Sequence, residues 1–197
     1  LDFNGHTLKT KDNTPYNYRY IIYTIRRVNA TDIELRNMDF DENAEGAPDT
    51  WADVFWFTNM SNSKLYNCDF SSPVMEYSTY WGGINNDIEI KYCKFDANGF
   101  GYDKPDDRLN RLVFEHNEVT SDEIFIRGEK ALVRYNKLEG YDVSIKLYDG
   151  NESEISHNYI HSTGGTTYFI YAIHSDRTII NNNIIHGYGT TTGTGIL

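Results

Sequence analysis

The chain contains 197 residues, of which 39% are hydrophobic and 15% aromatic, and it carries a formal net charge of −11. This apolar content is sufficient for a buried core and argues against intrinsic disorder. The acidic balance lacks the basic stripe that binds phosphate backbones, and no apolar run approaches the roughly 20 residues that span a bilayer. We therefore expect neither nucleic-acid binding nor membrane insertion.

A short alternating β pattern occurs seven times along the chain, and helical spacing is absent. Each copy ends in a polar pair that is followed by one more apolar residue. The second residues of successive pairs are 19 to 30 residues apart, and in chain order they are Met38, Cys68, Cys93, Asn117, Asn136, Asn158 and Asn183. A unit this short has no room for a crossover helix between parallel strands, but it matches one coil of a β-solenoid.

These aligned residues are expected to form one buried column. Coils stacked about 4.8 Å apart place equivalent side chains above one another. Four of the residues are asparagines, whose amides can satisfy each other and the bent backbone. Met38, Cys68 and Cys93 continue the column with soft apolar groups, so we expect the two cysteines to be buried free thiols rather than a disulfide.

A second strand precedes most of these segments, at residues 19–27, 51–59, 123–128, 142–149 and 167–175. Each coil then contains this strand, a small turn, the repeated strand, the polar turn, a brief third strand and a return loop. Parallel crossovers are nearly always right-handed. The sequence therefore predicts an all-β protein, a right-handed single-stranded parallel β-helix of about eight coils, with residues 1–197 in one domain.

The asparagine turns, the opening LDFNGHTL and the stretch NATDIELRNMDFDENAEG resemble the right-handed parallel β-helix superfamily, which has the pectin-lyase-like fold. This superfamily includes pectate lyases, other polysaccharide lyases and hydrolases, and phage tailspikes and neck appendages. The resemblance implies a polysaccharide partner and an extracellular location, on a virion surface or as a secreted protein, and it makes a homotrimer a candidate assembly. It indicates the fold more closely than the reaction, because the same coil hosts many functions.

Unequal loops between the coils indicate where a ligand could lie. Long insertions are predicted after Phe40, Phe70, Phe95 and Ile160, whereas the coils that end at Val119 and Leu138 turn back almost at once. The two tight coils should form the floor of a groove between taller loops, which suits an extended sugar chain. Strand patterns at both ends, without capping elements, also predict that the chain is a segment of a longer protein.

Strand alternation selects the side chains that face this groove. The last coil is predicted to point Phe169, Tyr171 and Ile173 inward, and the outward candidates are Arg127, Lys146, Tyr148 and His174. In a lyase these residues would perform β-elimination on an acidic polysaccharide: cations stabilise charge at the uronate carboxylate, and Lys146, His174 or Tyr148 removes the neighbouring proton. The alternative is that they are ordinary solvated residues of a wet strand face.

Carboxylates on adjacent coils support a hydrolase instead. Glu123 and Asp142 are the candidate pair, since a coil spacing of about 5 Å suits a retaining mechanism. The chain has 29 acidic residues, so chance pairs are also expected.

Aromatic residues of the strands and long loops are candidates for sugar binding, above all Trp81, Tyr102 and Tyr168. Aromatic faces suit sugar rings, yet a covering loop or a subunit contact explains them equally well. No cofactor and no set of metal ligands is predicted, although the acidic loops at residues 39–45 and 103–107 make calcium a candidate ligand.

Three functions remain open at this point. The leading hypothesis is a carbohydrate-active β-helix of the phage tailspike or neck-appendage type, which binds and cleaves a cell-surface polysaccharide as a lyase or glycoside hydrolase. The second is a secreted bacterial polysaccharide lyase that acts on an acidic glycan. The third is a non-catalytic adhesin or stalk that binds glycan.

Overall fold

The computed structural model describes residues 7–9, 20–25, 31–41, 53–70, 77–95, 100–101, 105–120, 123–164, 168–187 and 194–196. In these ranges the chain forms 24 β-strands in three parallel sheets and contains no helix. The described residues therefore include no helix that is long and apolar enough to cross a bilayer. The chain runs from sheet I to sheet II to sheet III and then enters the next coil. The predicted all-β parallel solenoid is confirmed.

Each sheet contains eight strands. Sheet III consists of β1 (Thr7–Lys9), β4 (Asp39–Asp41), β7 (Asp69–Phe70), β10 (Lys94–Phe95), β14 (Glu118–Val119), β17 (Lys137–Gly140), β20 (Tyr159–Ser162) and β23 (Ile184–Gly187). Sheet I consists of β2 (Tyr20–Ile25), β5 (Asp53–Thr58), β8 (Tyr77–Gly82), β11 (Phe100–Gly101), β15 (Glu123–Arg127), β18 (Ser144–Tyr148), β21 (Tyr168–Ile173) and β24 (Thr194–Ile196). Sheet II consists of β3 (Glu34–Arg36), β6 (Ser61–Tyr66), β9 (Ile84–Lys91), β12 (Arg108–Asn110), β13 (Val113–Glu115), β16 (Leu132–Arg134), β19 (Glu154–Ser156) and β22 (Ile179–Asn181). Both β12 and β13 pair with the long strand β9.

The coils are not equally complete. From β15 to β23 all three strands of each coil are described with their side chains, and β12 to β14 supply most of a further coil. About four full turns of the solenoid are described in this way, rather than the eight expected from the sequence.

Alternation along each strand separates the core from the outer faces. In β15, Ile124 and Ile126 are fully buried between half-buried neighbours, and Ile145 and Leu147 are equally buried in β18. The parallel register places Ile124 beside Ile145 and Ile126 beside Leu147. Apolar side chains therefore stack in columns that fill the solenoid, and burial of each one contributes about 1.5–3 kcal/mol.

The predicted asparagine column is present. Asn117 Nδ2 donates to Asn136 Oδ1 at 3.2 Å, and the same bond joins Asn136 to Asn158 at 2.9 Å and Asn158 to Asn183 at 3.0 Å. Asn136 Nδ2 also donates to the Phe114 carbonyl at 2.9 Å, and Asn136 Oδ1 accepts from the Asn117 backbone N–H at 2.9 Å. Both donors and both acceptor positions of this amide are thereby satisfied, as burial requires.

The two cysteines continue this column as free thiols, as predicted. Cys68 and Cys93 are each 1% exposed, and no disulfide joins them. The Cys93 sulfur lies 3.3 Å from the Lys91 carbonyl and 3.6 Å from the Leu65 carbonyl, either of which can accept its single S–H. Burial, together with the contact with Cys68, raises the pKa of the Cys93 thiol, so this thiol stays protonated at neutral pH.

A residue with left-handed backbone precedes each member of the column. The φ angle lies between 50° and 59° at Asn37, Asn67, Tyr92, His116, Tyr135, His157 and Asn182. Asparagine and histidine adopt this conformation more readily than most residues, whereas tyrosine does so rarely. The sharp turn directs this side chain outward and the next one into the core. The corner between sheets II and III thus carries an outer column and a buried column.

The outer face of sheet II carries a row of alternating charges. Lys64 Nζ lies 3.0 Å from a Glu89 oxygen, and Lys91 Nζ lies 3.2 Å from both Glu89 and Glu115. Arg134 pairs with the other Glu115 oxygen. Burial raises the pKa of the Glu115 carboxyl, but hydrogen bonds from Arg134 and Lys91 outweigh burial and lower it. Charges of opposite sign therefore compensate each other across β6, β9, β13 and β16.

Two predictions about the loops of sheet I were wrong. The segments after Phe70 and Phe95 contain the strands β8 and β11, so they are not uninterrupted loops. Serine, threonine and glycine are frequent in the first segment and aspartate and glycine in the second, and they hide the period-two pattern of a strand.

The inward register predicted for the next coil was wrong for Tyr171 and Ile173, whereas Phe169 packs against the core as predicted. In β21, Ile170 pairs with Ile145 and is buried, whereas Tyr171 pairs with the outward Lys146 and Ile173 pairs with Tyr148. Both sets of residues in this strand are apolar, so alternation alone does not distinguish the two faces.

Candidate ligand-binding face

The outer face of sheet I is described most completely where β15, β18 and β21 lie side by side. Phe125 is in register with Lys146 and Tyr171, and Arg127 is in register with Tyr148 and Ile173. We call this surface the sheet I face, and its half-buried members are Glu123, Phe125, Arg127, Lys146, Tyr148, Tyr171 and Ile173. The structure thus brings Glu123, Arg127, Lys146 and Tyr148 onto one face.

Aromatic rings form a continuous chain across the sheet I face. The ring centres of Phe125 and Tyr148 are 4.8 Å apart, with planes within 2° of parallel. Tyr148 meets Tyr171 edge-on at 5.7 Å, and Tyr171 stacks on Tyr168 at 5.1 Å. Such pairs stabilise one another by about 0.5–1.5 kcal/mol beyond their burial. The change of plane between Tyr148 and Tyr171 means that these two rings do not cover each other face to face.

Arg127 lies beside the Tyr148 ring at the C-terminal end of β15. Its Nη1 donates to the Pro105 carbonyl at 2.8 Å, and its Nε lies 3.7 Å from Asp149 Oδ2. The guanidinium carbon lies 5.5 Å from the centre of the Tyr148 ring, within the range of a cation–π contact. These contacts orient a cation beside the rings.

Asp149 connects His174 to the same end of the face. Its carboxylate lies 3.6 Å from His174 Nδ1 and 3.6 Å from Arg108 Nη2. The His174 side chain is 81% exposed. His174 therefore lies at the edge of the sheet I face, beyond the end of β21, and is joined to Arg127 through the shared carboxylate.

Lys146 and Glu123, which were predicted for two different reactions, are ion-pair partners of each other. Lys146 lies between Phe125 and Tyr171 in the strand register, and Glu123 reaches it from the neighbouring strand. The ammonium group and the carboxylate are both occupied by this pair. A ligand that uses either group must compete with the other one.

Tyr148 is better suited to donate a proton than to remove one. Burial raises the pKa of the Tyr148 hydroxyl, and the neighbouring Tyr171 adds to this effect. The hydroxyl therefore keeps its proton at neutral pH. It can donate a hydrogen bond to a sugar oxygen or a proton to a leaving group.

Asp142 does not join Glu123 on the sheet I face. It is exposed in the turn before β18, close to Gly164, whereas Glu123 is paired in register with Ser144. The structure therefore does not bring together the two carboxylates of the hydrolase hypothesis as neighbours in register.

The three predicted sugar-binding aromatic residues have different positions. Trp81 is 2% exposed, packs against Phe57 with ring centres 4.6 Å apart and planes tilted by 33°, and donates from Nε1 to Thr79 Oγ1 at 3.2 Å. Its ring belongs to the core and offers no face to a sugar, which corrects the prediction. Tyr168 is half-buried and stacks on Tyr171 beside the sheet I face. Tyr102 lies outside the described residues.

In the described part of the chain, no group of three or more His, Cys, Asp and Glu side chains is arranged to hold a metal ion. Asp107, from one of the two acidic loops, is buried and accepts a hydrogen bond from the Gly83 N–H at 2.6 Å. This contact gives Asp107 a structural role. Residues 42–45 and 103–104 lie outside the described ranges, so calcium binding stays a prediction.

A second aromatic surface was missed by the sequence reasoning. Along the outer corner column, Tyr92 stacks on His116 at 5.1 Å, His116 on Tyr135 at 5.2 Å, and Tyr135 on His157 at 5.0 Å. We call these four residues the corner stack. A pocket of about 220 Å³ lies beside Tyr92 and is also lined by Lys94. The signal was the residue that directly precedes each aligned Asn or Cys.

Comparisons with known proteins do not extend this description. No family model, no curated protein and no solved structure matches the chain. The fold is that of a parallel β-solenoid on the strand pairing alone.

Proposed function

We propose that the chain is part of a carbohydrate-active β-solenoid that binds an extended polysaccharide along the sheet I face. The observation that carries this proposal is the chain of rings from Phe125 through Tyr148 and Tyr171 to Tyr168. Aromatic rings pack against the apolar faces of sugars, and flanking polar groups bind the hydroxyls and fix orientation. Arg127 and Lys146 supply such groups beside the rings.

The solenoid geometry favours a polymer over a single sugar. The aromatic chain crosses three consecutive strands of sheet I, so a ligand with repeating units meets similar surface on each coil. The half-buried rings leave apolar area that a ligand can cover. Binding costs little side-chain conformational entropy, because these rings are already ordered by stacking.

The proposal includes the finer expectations from the sequence. These are right-handed winding, membership of the pectin-lyase-like superfamily, a phage tailspike or neck-appendage type of protein, extracellular location and homotrimeric assembly. The crossover rule supports right-handed winding, and the asparagine turns support the resemblance to the superfamily, from which the remaining expectations follow. A secreted bacterial lyase and a non-catalytic adhesin or stalk remain the alternatives.

Binding is tested with a panel of acidic and neutral polysaccharides and isothermal titration calorimetry. We expect Tyr148→Ala and Tyr171→Ala each to weaken binding by about tenfold, as loss of a stacked aromatic contact does. Tyr135→Asn is the matched control, because it removes an exposed ring of the corner stack and keeps a residue that tolerates positive φ. Equal affinity in all variants would place the ligand elsewhere, and no binding by the wild type would refute the proposal.

Cleavage by β-elimination is a second candidate function, favoured by Arg127 beside Tyr148 and His174. In this reaction a base removes the proton from the carbon next to the uronate carboxylate, a carbon–carbon double bond forms, and the glycosidic carbon–oxygen bond breaks. Arg127 would neutralise the carboxylate, Tyr148 would protonate the leaving oxygen, and His174 would act as the base, because Lys146 is engaged by Glu123.

The reaction is tested by following reducing ends together with the ultraviolet absorbance of the conjugated product. Reducing ends with this absorbance indicate a lyase, and reducing ends without it indicate a hydrolase. For a lyase we expect His174→Ala to lower turnover by about 10² or more. If His174→Ala and Lys146→Met keep full cleavage while Glu123→Gln or Asp142→Asn abolishes it, elimination is wrong and the hydrolase hypothesis replaces it.

A further inference from the structure

The outer face of sheet III carries a column of three side chains that the proposed function does not use. Glu139 on β17 is in register with His161 on β20, which is in register with His186 on β23. The residues before them, Leu138 and Ile160, are fully buried, so the column faces outward. One carboxylate and two imidazoles therefore lie on three consecutive coils, about 4.8 Å apart along the solenoid axis.

The carboxylate determines which nitrogen of His161 is available. Glu139 Oε1 lies 3.3 Å from His161 Nδ1. A carboxylate only accepts hydrogen bonds, so Nδ1 carries the proton and donates. In the neutral imidazole this leaves Nε2 with a free lone pair. A carboxylate that holds the other ring nitrogen of a histidine is the usual support of a metal-binding imidazole.

The second imidazole is close enough to share an ion with the first. The ring centres of His161 and His186 are 6.2 Å apart, with planes at 78°. Two imidazoles that bind one ion through nitrogen at about 2.0–2.1 Å have ring centres roughly 5 Å apart. His186 is exposed at its end of the column, so rotation of its side chain can close the difference.

Neighbouring side chains hold the column in place without blocking it. Lys137 Nζ lies 2.7 Å from Glu139 Oε2, which leaves Oε1 for His161. The Tyr159 ring lies 5.7 Å from the His186 ring and 6.3 Å from the His161 ring. The ammonium group and the aromatic ring thus flank the two imidazoles on one side.

We propose that His161 and His186 form a two-imidazole site for a divalent transition-metal ion, with Glu139 as the positioning carboxylate. Imidazole nitrogen suits Cu²⁺, Ni²⁺ and Zn²⁺, and affinity in this series is highest for Cu²⁺. Two protein ligands leave the other coordination positions to water, so the site is open and exchanges its ion readily. The proposal concerns sheet III and is independent of glycan binding on sheet I.

The test uses the untagged full chain and Cu²⁺ alone at neutral pH, with calorimetry for affinity and electron paramagnetic resonance for the ligand atoms. We expect one Cu²⁺ per chain, coupled to two imidazole nitrogens. His161→Asn and His186→Asn should each weaken binding at least tenfold, and Glu139→Gln about tenfold through loss of orientation. His157→Asn is the matched control, because it removes an exposed histidine of the corner stack, and it should bind as the wild type does.

Two results would overturn the site. One is a double variant of His161 and His186 that keeps the wild-type circular dichroism spectrum and binds Cu²⁺ unchanged. The other is an electron paramagnetic resonance spectrum of the wild type with Cu²⁺ that shows fewer than two coupled nitrogens. This second result does not depend on whether a variant folds.

Discussion

Sheets I and II belong to the same coils, yet their outer faces are built differently. On sheet II, Lys91 and Glu115 belong to a row in which each charge touches a neighbour of opposite sign. On the sheet I face, aromatic rings occupy the centre. Arg127 and Lys146 form ion pairs with Asp149 and Glu123, which lie at the edges of this face.

This difference shows how one coil can combine a surface whose charges are paired with one another and a surface suited to binding. Charged groups that compensate each other leave nothing for a partner to satisfy, so the outer face of sheet II needs no ligand. Stacked rings keep apolar area exposed to water, and such area gains free energy when a partner covers it. Strand geometry is the same in both cases, and only the outward residue types differ.

The largest expected effect comes from removing the frame that both faces share. Asn136→Ala leaves several buried polar groups of the asparagine column without partners, at about 1–3 kcal/mol each. We expect the free energy of unfolding to fall by about 3 kcal/mol or more, measured by urea unfolding. The neighbouring control Tyr135→Asn loses two ring contacts at the surface and should lower it by less, about 1 kcal/mol. Equal effects of both variants would mean that the column does not hold the coils together.

The next effect concerns sheet II alone. Glu115→Gln removes the carboxylate shared by Arg134 and Lys91 and should cost about 2 kcal/mol at neutral pH. The pKa of Glu115 in the folded protein is lowered from its ordinary value of 4.5. Its contribution is therefore fully present above pH 4.5 and is lost as the pH falls through the folded-state pKa.

Urea unfolding over a series of acidic pH values checks this prediction. The wild type should lose more stability on acidification than Glu115→Gln, so the two curves converge at low pH. Glu152→Gln is the control, because its partners Lys130 and Arg177 are exposed and their pairs contribute little. Parallel curves for wild type and Glu115→Gln would contradict the assignment.

A matched pair of arginine variants sharpens the comparison of the two faces. Arg127→Met on sheet I should weaken binding of an acidic polysaccharide by about tenfold and that of a neutral one by less, because only the acidic polymer loses an ion pair. Arg134→Met on sheet II should leave both affinities unchanged and lower the stability instead, because Glu115 loses one of its two cationic partners. Calorimetric titration and urea unfolding of the two variants separate these outcomes. If both variants weaken binding equally, the ligand does not bind specifically to the sheet I face.

The smallest effect is expected at the solvated end of the sheet II row. Lys64→Ala removes an ion pair with Glu89 that is partly exposed to water. Such pairs contribute about 0.2–1 kcal/mol, and salt screens them further. We expect a change in the free energy of unfolding below about 0.5 kcal/mol that shrinks with added salt, again followed by urea unfolding. A larger loss would show that the row acts as a cooperative network.

The repeat and its buried column could be predicted because each depends on one residue type at one place in the coil. An asparagine such as Asn136 is a poor strand former, so its recurrence at fixed positions requires a structural reason. The inward residues of β18 were also predictable, because Ile145 and Leu147 alternate with the polar Lys146 and Tyr148. In β21 both faces are apolar, and the register depends on pairing with Ile145, which a single strand does not reveal.

Contacts between coils were the part of the candidate site that could not be predicted from local sequence patterns. The sequence placed Glu123 and Lys146 outward, but their ion pair joins two strands and depends on the register between coils. The inward position of Trp81 was hidden because β8 lies in a segment rich in serine, threonine and glycine. The corner stack was detectable in principle, since Tyr135 and His157 directly precede aligned asparagines.

The asparagine column also has a consequence for changes in the length of the solenoid. The backbone N–H of one column residue bonds the amide of the next across separations of 19, 22 and 25 residues without any change in the bond. Extra residues are therefore accommodated at corners and return loops and do not enter the column. A coil can be gained or lost as a whole during evolution if it brings its own column residue, so the length of the solenoid can vary while the stacking of the coils stays the same.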